Sequence, residues 1–189
     1  LQKMQKQNIN MANFKDYYNQ EVKSKLSGEL KIGNVMAVPR IEKIIVNVGV
    51  GEATTNKNVL EKVREQIGLI TGQRPVITKA RKSISAFRIR EGLPIGVKVT
   101  LRGNSMYSFL EKLVKIVIPR LRDFRGIADT NVDEHGNLNL GLTEQTIFPE
   151  IEYDKIDKIR GLQITLVTNA KTKEKGKKLF EGIGIPFKK

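Results

Sequence analysis

Cysteine is absent from the chain, which removes disulfides, thiolate metal sites and cysteine nucleophiles at once. The absence fits a reducing compartment without requiring one. Histidine occurs once, as His135 beside Gly136 in a polar stretch. An exposed loop histidine without a second ligand nearby makes no metal site, and no Ser/His/Asp triad can be assembled around it. The expectation is therefore a protein with no catalytic residue, no metal and no cofactor. Long apolar runs are missing too. The longest, residues 114–118, contains Lys115 and ends at Pro119, far short of the roughly 18 residues that cross a bilayer. The first residues carry lysines but no apolar stretch of the kind a secretory signal needs. No membrane partner is therefore expected.

Acids are scarce relative to bases. Against 34 Lys and Arg stand 20 Asp and Glu, a net charge of +14 on 189 residues. Such an excess makes a compact particle repel itself unless a polyanion neutralises it, and nucleic acid is the leading candidate. The excess is also uneven. Residues 71–103 hold eight bases (Arg74, Lys79, Arg81, Lys82, Arg88, Arg90, Lys98, Arg102) and one acid (Glu91), a local charge of +7. Residues 171–189 hold seven lysines and two acids, whereas residues 104–170 hold eight bases and ten acids. The lysine-rich end reads as a solvated face. The 71–103 stretch does not, because Ser83, Ser85, Phe87, Gly92 and Gly96 are interleaved with its bases.

The length suits one domain with a loose end. Residues 1–12 are expected to be a disordered polar extension and residues 13–189 a single folded unit. Asn13 can cap a helix that carries Phe14, Tyr17, Tyr18, Val22 and Leu26 at helical spacing to about Ser27. Residues 41–48 (IEKIIVNV) form the best strand, with Ile44, Val46 and Val48 on one face and Lys43, Ile45 and Asn47 on the other. Asn56 can cap a second helix whose stripe is Val59, Leu60, Val63, Ile67 and Ile70, ended by Gly72 and Pro75. A short strand at 75–78, a basic loop or loose hairpin over 79–94 and a strand at 95–101 follow. In the last, Ile95, Val97, Val99 and Leu101 oppose Lys98, Thr100 and Arg102. Asn104 can cap a third helix bearing Met106, Phe109, Leu110, Leu113 and Val117, broken by Pro119. Residues 125–142, poor in apolar side chains, read as a mobile loop. A strand over 162–167 and a helix capped by Thr172, with Leu179, Phe180 and Ile183 inward, complete the chain. Strands with one apolar and one polar face predict an α+β fold: an antiparallel sheet with helices on one face and the other face open for RNA.

Three groups of residues invite chemistry. The GVGEATTNK turn at 49–57 follows a strand and precedes a helix, where phosphate loops sit. But Thr54 replaces the third glycine of the dinucleotide pattern, and no Gly-Lys-Ser/Thr ends it. A small phosphate- or nucleotide-using protein built on this turn is the alternative reading. A membrane-surface role for the lysine-rich last helix is weaker, since only Leu179, Phe180 and Ile183 could insert. Glu150, Glu152, Asp154 and Asp157 could serve acid–base or Mg²⁺ chemistry, but Lys155, Lys158 and Arg160 among them favour surface ion pairs. The polar sheet face with its basic loop is the stronger constellation. Cations neutralise phosphates, an exposed aromatic such as Phe87 stacks on an unpaired base, and Asn, Gln and Thr read base edges or 2′-hydroxyls. The bland alternatives are a marginal core contact for Phe87 and ordinary solvation for Asn47 and Thr100.

The runs PRIEKIIVNVGVGEA, ITGQRPVITKARKSISAFRIREGLPIGVKVTLRG, PRLRDFRG and EQTIFPEIEYDKIDKIRGLQITLVTNAKT resemble ribosomal protein five of the bacterial large subunit. The likeness runs from about Asn13 to the terminal PFKK. The family begins close to Met11, so residues 1–11 are a departure from it. The resemblance implies a structural constituent of the large subunit that binds 5S rRNA in the central protuberance and also contacts 23S rRNA. It places RNA contacts on Asn47, Gln73, Phe87 and Thr100, with Lys43, Lys98 and Arg102 beside them. It implies that the basic loop, about Lys79–Phe87, approaches the elbow of the P-site tRNA through Lys79, Arg81, Lys82 and Ser83, and that Arg88 and Arg90 of the same loop contact tRNA or rRNA. It further implies that residues 125–146 form a bridge to the small-subunit head, with neighbouring ribosomal proteins of the protuberance and that head as partners.

Overall fold

The computed structural model describes residues 14–54, 56, 58–121, 124–153 and 156–188. The expected disordered start and the expected cap at Asn13 lie outside them. Five strands make one sheet: β1 (Ile41–Gly49), β2 (Val76–Lys79), β3 (Pro94–Leu101), β4 (Leu138–Leu142) and β5 (Leu162–Thr168). Their order is β2-β3-β1-β5-β4, and every pairing is antiparallel. Four helices accompany it. Helix α1 runs through Phe14–Tyr17, a π-helical turn Tyr18–Val22 and Lys23–Glu29. Helix α2 is Asn58–Thr71. Helix α3 runs through Gly103–Lys112, a π-helical turn Leu113–Val117 and Ile118–Arg120, and α4 is Lys173–Ile183.

Period-two alternation divides the sheet into two unlike faces. Ile44, Val46 and Val48 of β1, Val97, Val99 and Leu101 of β3, Leu138, Leu140 and Leu142 of β4, and Leu162, Ile164 and Leu166 of β5 are all buried. They join the predicted stripes of α1 to α4 in one continuous apolar cluster. Burying a side chain of this size contributes about 1.5–3 kcal/mol, so the face that carries these residues takes the helices. The α+β expectation holds.

Several local expectations need correction. Helix α3 begins at Gly103 and its N-cap residue is Arg102, so Asn104 does not cap it; the Asn104 Oδ1 instead accepts from Lys15 Nζ at 3.2 Å. Pro119 does not stop α3 at once: it sits at the start of the short α-helical piece Ile118–Arg120 that follows the π-helical turn, a first-turn position where its missing N–H is tolerated. Thr172 occupies the N-cap of α4, but its side chain makes no capping hydrogen bond. Asn56 stands two residues before α2, and its Oδ1 accepts from Asn58 N, the first residue of that helix, at 3.1 Å.

The larger correction concerns 125–142, which is not a loose loop. It contains β4, and Ile127 pairs with Phe187 while Val132 bridges to Leu138. The turn before β4 is pinned to α4 by two glycines. Gly136 sits at φ +81°, and a Cβ there would lie 2.7 Å from Thr172 O. A Cβ on Gly176 would lie 2.5 Å from Gly136 O. Thr168 Oγ1 donates to Gly136 O at 2.7 Å and locks the contact to the end of β5.

Gly176→Ala should therefore destabilise the fold by roughly 1–3 kcal/mol through overpacking. Gly28→Ala, in α1 with open space around it, should stabilise it by about 0.4–1 kcal/mol. Thermal melts of the two variants check the contrast.

Candidate nucleic-acid interface

The strand face opposite the helices remains uncovered by them. Register places Val76, Lys98, Asn47, Gln163 and Gly141 in one row across it, since these pair successively from β2 to β4. Thr100, Ile45, Thr165 and Asn139 form the next row. Lys98 and Gln163 are exposed, while Lys43, Asn47 and Thr100 are half-buried. Neither Asn47 nor Thr100 is sealed in a dry interior. Gln73 stands beside this row and its Nε2 donates to the Thr100 carbonyl at 3.3 Å. Arg74 and Thr78 join Gln73, Val76, Lys98 and Thr100 around a shallow concavity of about 320 Å³ at the β2 edge. Arg102 lies exposed just past β3.

The basic loop is an ordered hairpin. Ile84 and Ile89 exchange backbone hydrogen bonds of 2.8 and 3.0 Å, and Ala80 N donates to Leu93 O at 2.8 Å. Ser83 Oγ accepts from Glu91 N at 2.9 Å, so this side chain helps close the loop. The tip is a 3₁₀ turn, Ser85–Phe87, followed by Arg88 in the left-handed region at φ +54°. Residues 81–88 are all exposed. Phe87 is 69% exposed, which removes the reading of it as a core contact. The structure thus brings Lys43, Asn47, Gln73, Lys98, Thr100 and Arg102 onto or beside one face. Phe87, Lys79, Arg81, Lys82, Ser83, Arg88 and Arg90 stand apart on the hairpin that leaves the face at its β2–β3 end.

Charge pairing separates the cations into two populations. Lys62, Arg64, Lys112, Lys115, Lys158, Arg160 and Lys177 each have a carboxylate partner. Among the described residues, none of the eight bases of 71–103 has one. Charges left unneutralised by the protein are those available to phosphates.

The other two groups have structural roles. In the GVGEATT turn, Gly51–Thr54 forms a 3₁₀ turn and Thr54 Oγ1 donates to Gly51 O. Glu52 pairs with Lys158, and with Arg160 at 3.3 Å, so a carboxylate occupies the turn and ties it to the segment after residue 156. A phosphate would meet that carboxylate, which counts against the nucleotide reading. Glu150 pairs with Lys112, and Asp157 with Lys62 at 3.4 Å; Asp154 lies outside the described residues. Among the described residues no group of acids and histidine is arranged to hold a metal.

Sequence reasoning missed Asn139, Gln163 and Thr165, which extend the polar face toward β4, where Thr165 Oγ1 donates to Asn139 Oδ1 at 2.8 Å. The signal was present in LNLGL, whose leucines alternate at period two, but the low apolar content upstream hid it.

Hydrogen bonds from Lys158 and then Arg160 hold the Glu52 carboxyl below the ordinary value. Burial pushes the Asp157 carboxyl up, but its own backbone N–H and Lys62 outweigh that and hold it low. A depressed folded pKa contributes stability above the unfolded value, about 4.3 for Glu, and that contribution is lost as pH falls through the folded value. Protection of amides in 156–160 should fall on acidification below about pH 4, and fall less in Glu52→Gln. Equal losses by hydrogen exchange would contradict the assignment.

The family described as "Ribosomal protein L5" matches residues 34–90, and the model for the C-terminus of that ribosomal family matches residues 94–187. The chain is 55% identical over 177 residues to the large ribosomal subunit protein uL5 of Symbiobacterium thermophilum, covering 94% of this chain and 98% of that protein. It is 52% identical over 179 residues to the large ribosomal subunit protein uL5 of Desulfotalea psychrophila, covering 95% of this chain and 100% of that protein.

Proposed function

Since the chain belongs to the ribosomal protein L5 family, we propose that its open sheet face and basic hairpin hold 5S rRNA in the central protuberance of the large ribosomal subunit. Family membership itself makes the chain a structural, non-enzymatic constituent of that subunit, an RNA-binding protein associated with rRNA and ribosomal proteins. The observation that carries the finer reading is the uncovered polar face, framed by cations that have no carboxylate partner among the described residues.

In this reading Asn47, Gln73 and Thr100 meet base edges and 2′-hydroxyls, while Lys43, Lys98 and Arg102 meet phosphates. Phe87 stacks on an unpaired base at the hairpin tip. Lys79, Arg81, Lys82 and Ser83 approach the P-site tRNA elbow, and Arg88 and Arg90 face 23S rRNA. Residues 125–146 touch the small-subunit head. The pinned Gly136–Gly176 contact supports that last role, because a bridge element transmits force only if its base is fixed. The protein works in the cytoplasm, within the ribosome.

With about five phosphates engaged, the logarithm of 5S affinity should fall with the logarithm of salt concentration at a slope near −4. Thr100→Val and Phe87→Ala should each weaken 5S binding while leaving the melting temperature close to wild type, since both side chains lie outside the core. Filter binding beside thermal melts checks this. A folded Phe87→Ala protein with undiminished affinity would remove Phe87 from the interface.

A further inference from the structure

A second cationic and aromatic site lies where β1 begins, on the helix-bearing side. A concavity of about 120 Å³ is lined there by Tyr18, Lys23, Met36, Val38, Arg40 and Tyr107. No acid lines it. Met36 is 73% exposed, and it is held outward: Asn34 caps the 3₁₀ turn Val35–Ala37, its Oδ1 accepting from Met36 N at 2.9 Å. Arg40 is exposed, yet its backbone is fixed on both sides, its N–H donating to Asn169 Oδ1 at 2.7 Å and its carbonyl accepting from Asn169 N at 3.1 Å. Tyr18 forms the floor, its hydroxyl donating to Pro39 O at 3.0 Å and its ring 5.7 Å from that of half-buried Tyr107. Among the described residues neither Lys23 nor Arg40 has an ion-pair partner.

We infer that this corner is a second RNA contact, distinct from the open sheet face, taking one unpaired ribonucleotide. Its phosphate sits between Lys23 and Arg40, and its base or sugar lies against Met36 and Tyr107. Two observations select RNA as the occupant. The charge is uniformly positive and unneutralised, which suits a polyanion rather than an apolar peptide. The corner also neighbours the proposed interface along the chain, because Arg40 directly precedes β1 and lies three residues, roughly 10 Å, from Lys43 on the open face.

The unpaired nucleotide can come from 5S rRNA or from 23S rRNA, and the test separates them. The full-length Lys23→Gln/Arg40→Gln protein is titrated with 5S rRNA and, separately, with 23S rRNA over a range of salt. Affinity for one of the two should fall at least tenfold, with the salt slope shallower by about 0.7 for the one phosphate released, and Met36→Ser should weaken binding to the same RNA. Unchanged melting temperature controls for folding. Undiminished affinity and slope for both RNAs would overturn the inference. So would ultraviolet crosslinks in assembled ribosomes that join the 34–40 peptide to a protein instead of a nucleotide. Thr100→Val keeps the two proposals apart: if it weakens 5S binding while the Lys23/Arg40 variant does nothing, only this inference falls, and the reverse pattern removes only the open-face reading.

Discussion

Everything in this molecule depends on one sheet being forced to use its two faces differently. Strict alternation along β1, β3, β4 and β5 sends Ile, Val and Leu to one side, where four helices cover them. With the helices on that side, no helix covers the opposite side among the described residues. A bare face would be a hazard if it were apolar. Here it carries Lys43, Asn47, Lys98, Thr100, Gln163 and Thr165, side chains suited to a polar partner.

Electrostatics reinforce that division. The acids gather in 104–170 and at Glu52 and Glu61, where they bond to specific lysines and arginines and tie loops to helices. Surface pairs of this kind contribute little each, and their cations are Lys62, Arg64, Lys112, Lys115, Lys158, Arg160 and Lys177, all outside the 71–103 stretch. The eight bases between 71 and 103 are left without counterions from the described residues. Self-repulsion among them costs stability in the free protein and is relieved when phosphates arrive, which couples the charge distribution to RNA binding.

Much of this was legible in the sequence. The stripes of α1, α2, α3 and α4 and the two faces of β1 and β3 follow from periodicity, because each long element repeats its signal several times, while the basic loop is legible from its concentration of charge. What failed were single-residue cues and weak windows. Asn104 has the chemistry of a cap but sits one position inside the helix, where Arg102 already occupies the boundary. The segment 125–142 looked loose because its order comes from distant partners: Phe187 for Ile127, Gly176 for Gly136, and β5 for β4. No local pattern records such contacts. Gln163 and Asn139 were missed for the same reason, since a residue's neighbour across a sheet is set by register. Phe87 could not be assigned from sequence because a phenylalanine is equally at home in a core. The left-handed Arg88 and the Ile84–Ile89 bridge turn it outward.

The most direct measurement is a nuclear magnetic resonance titration of the full-length protein with 5S rRNA, following the side-chain amides and methyls. The account predicts that Asn47, Gln73, Gln163, Val76 and the hairpin residues 81–88 shift or broaden together. Methyls of the helix-covered cluster, such as Leu110 and Ile164, should stay in place. Perturbation centred on the outer surfaces of α2 and α3, with Asn47 and Gln163 unmoved, would contradict it.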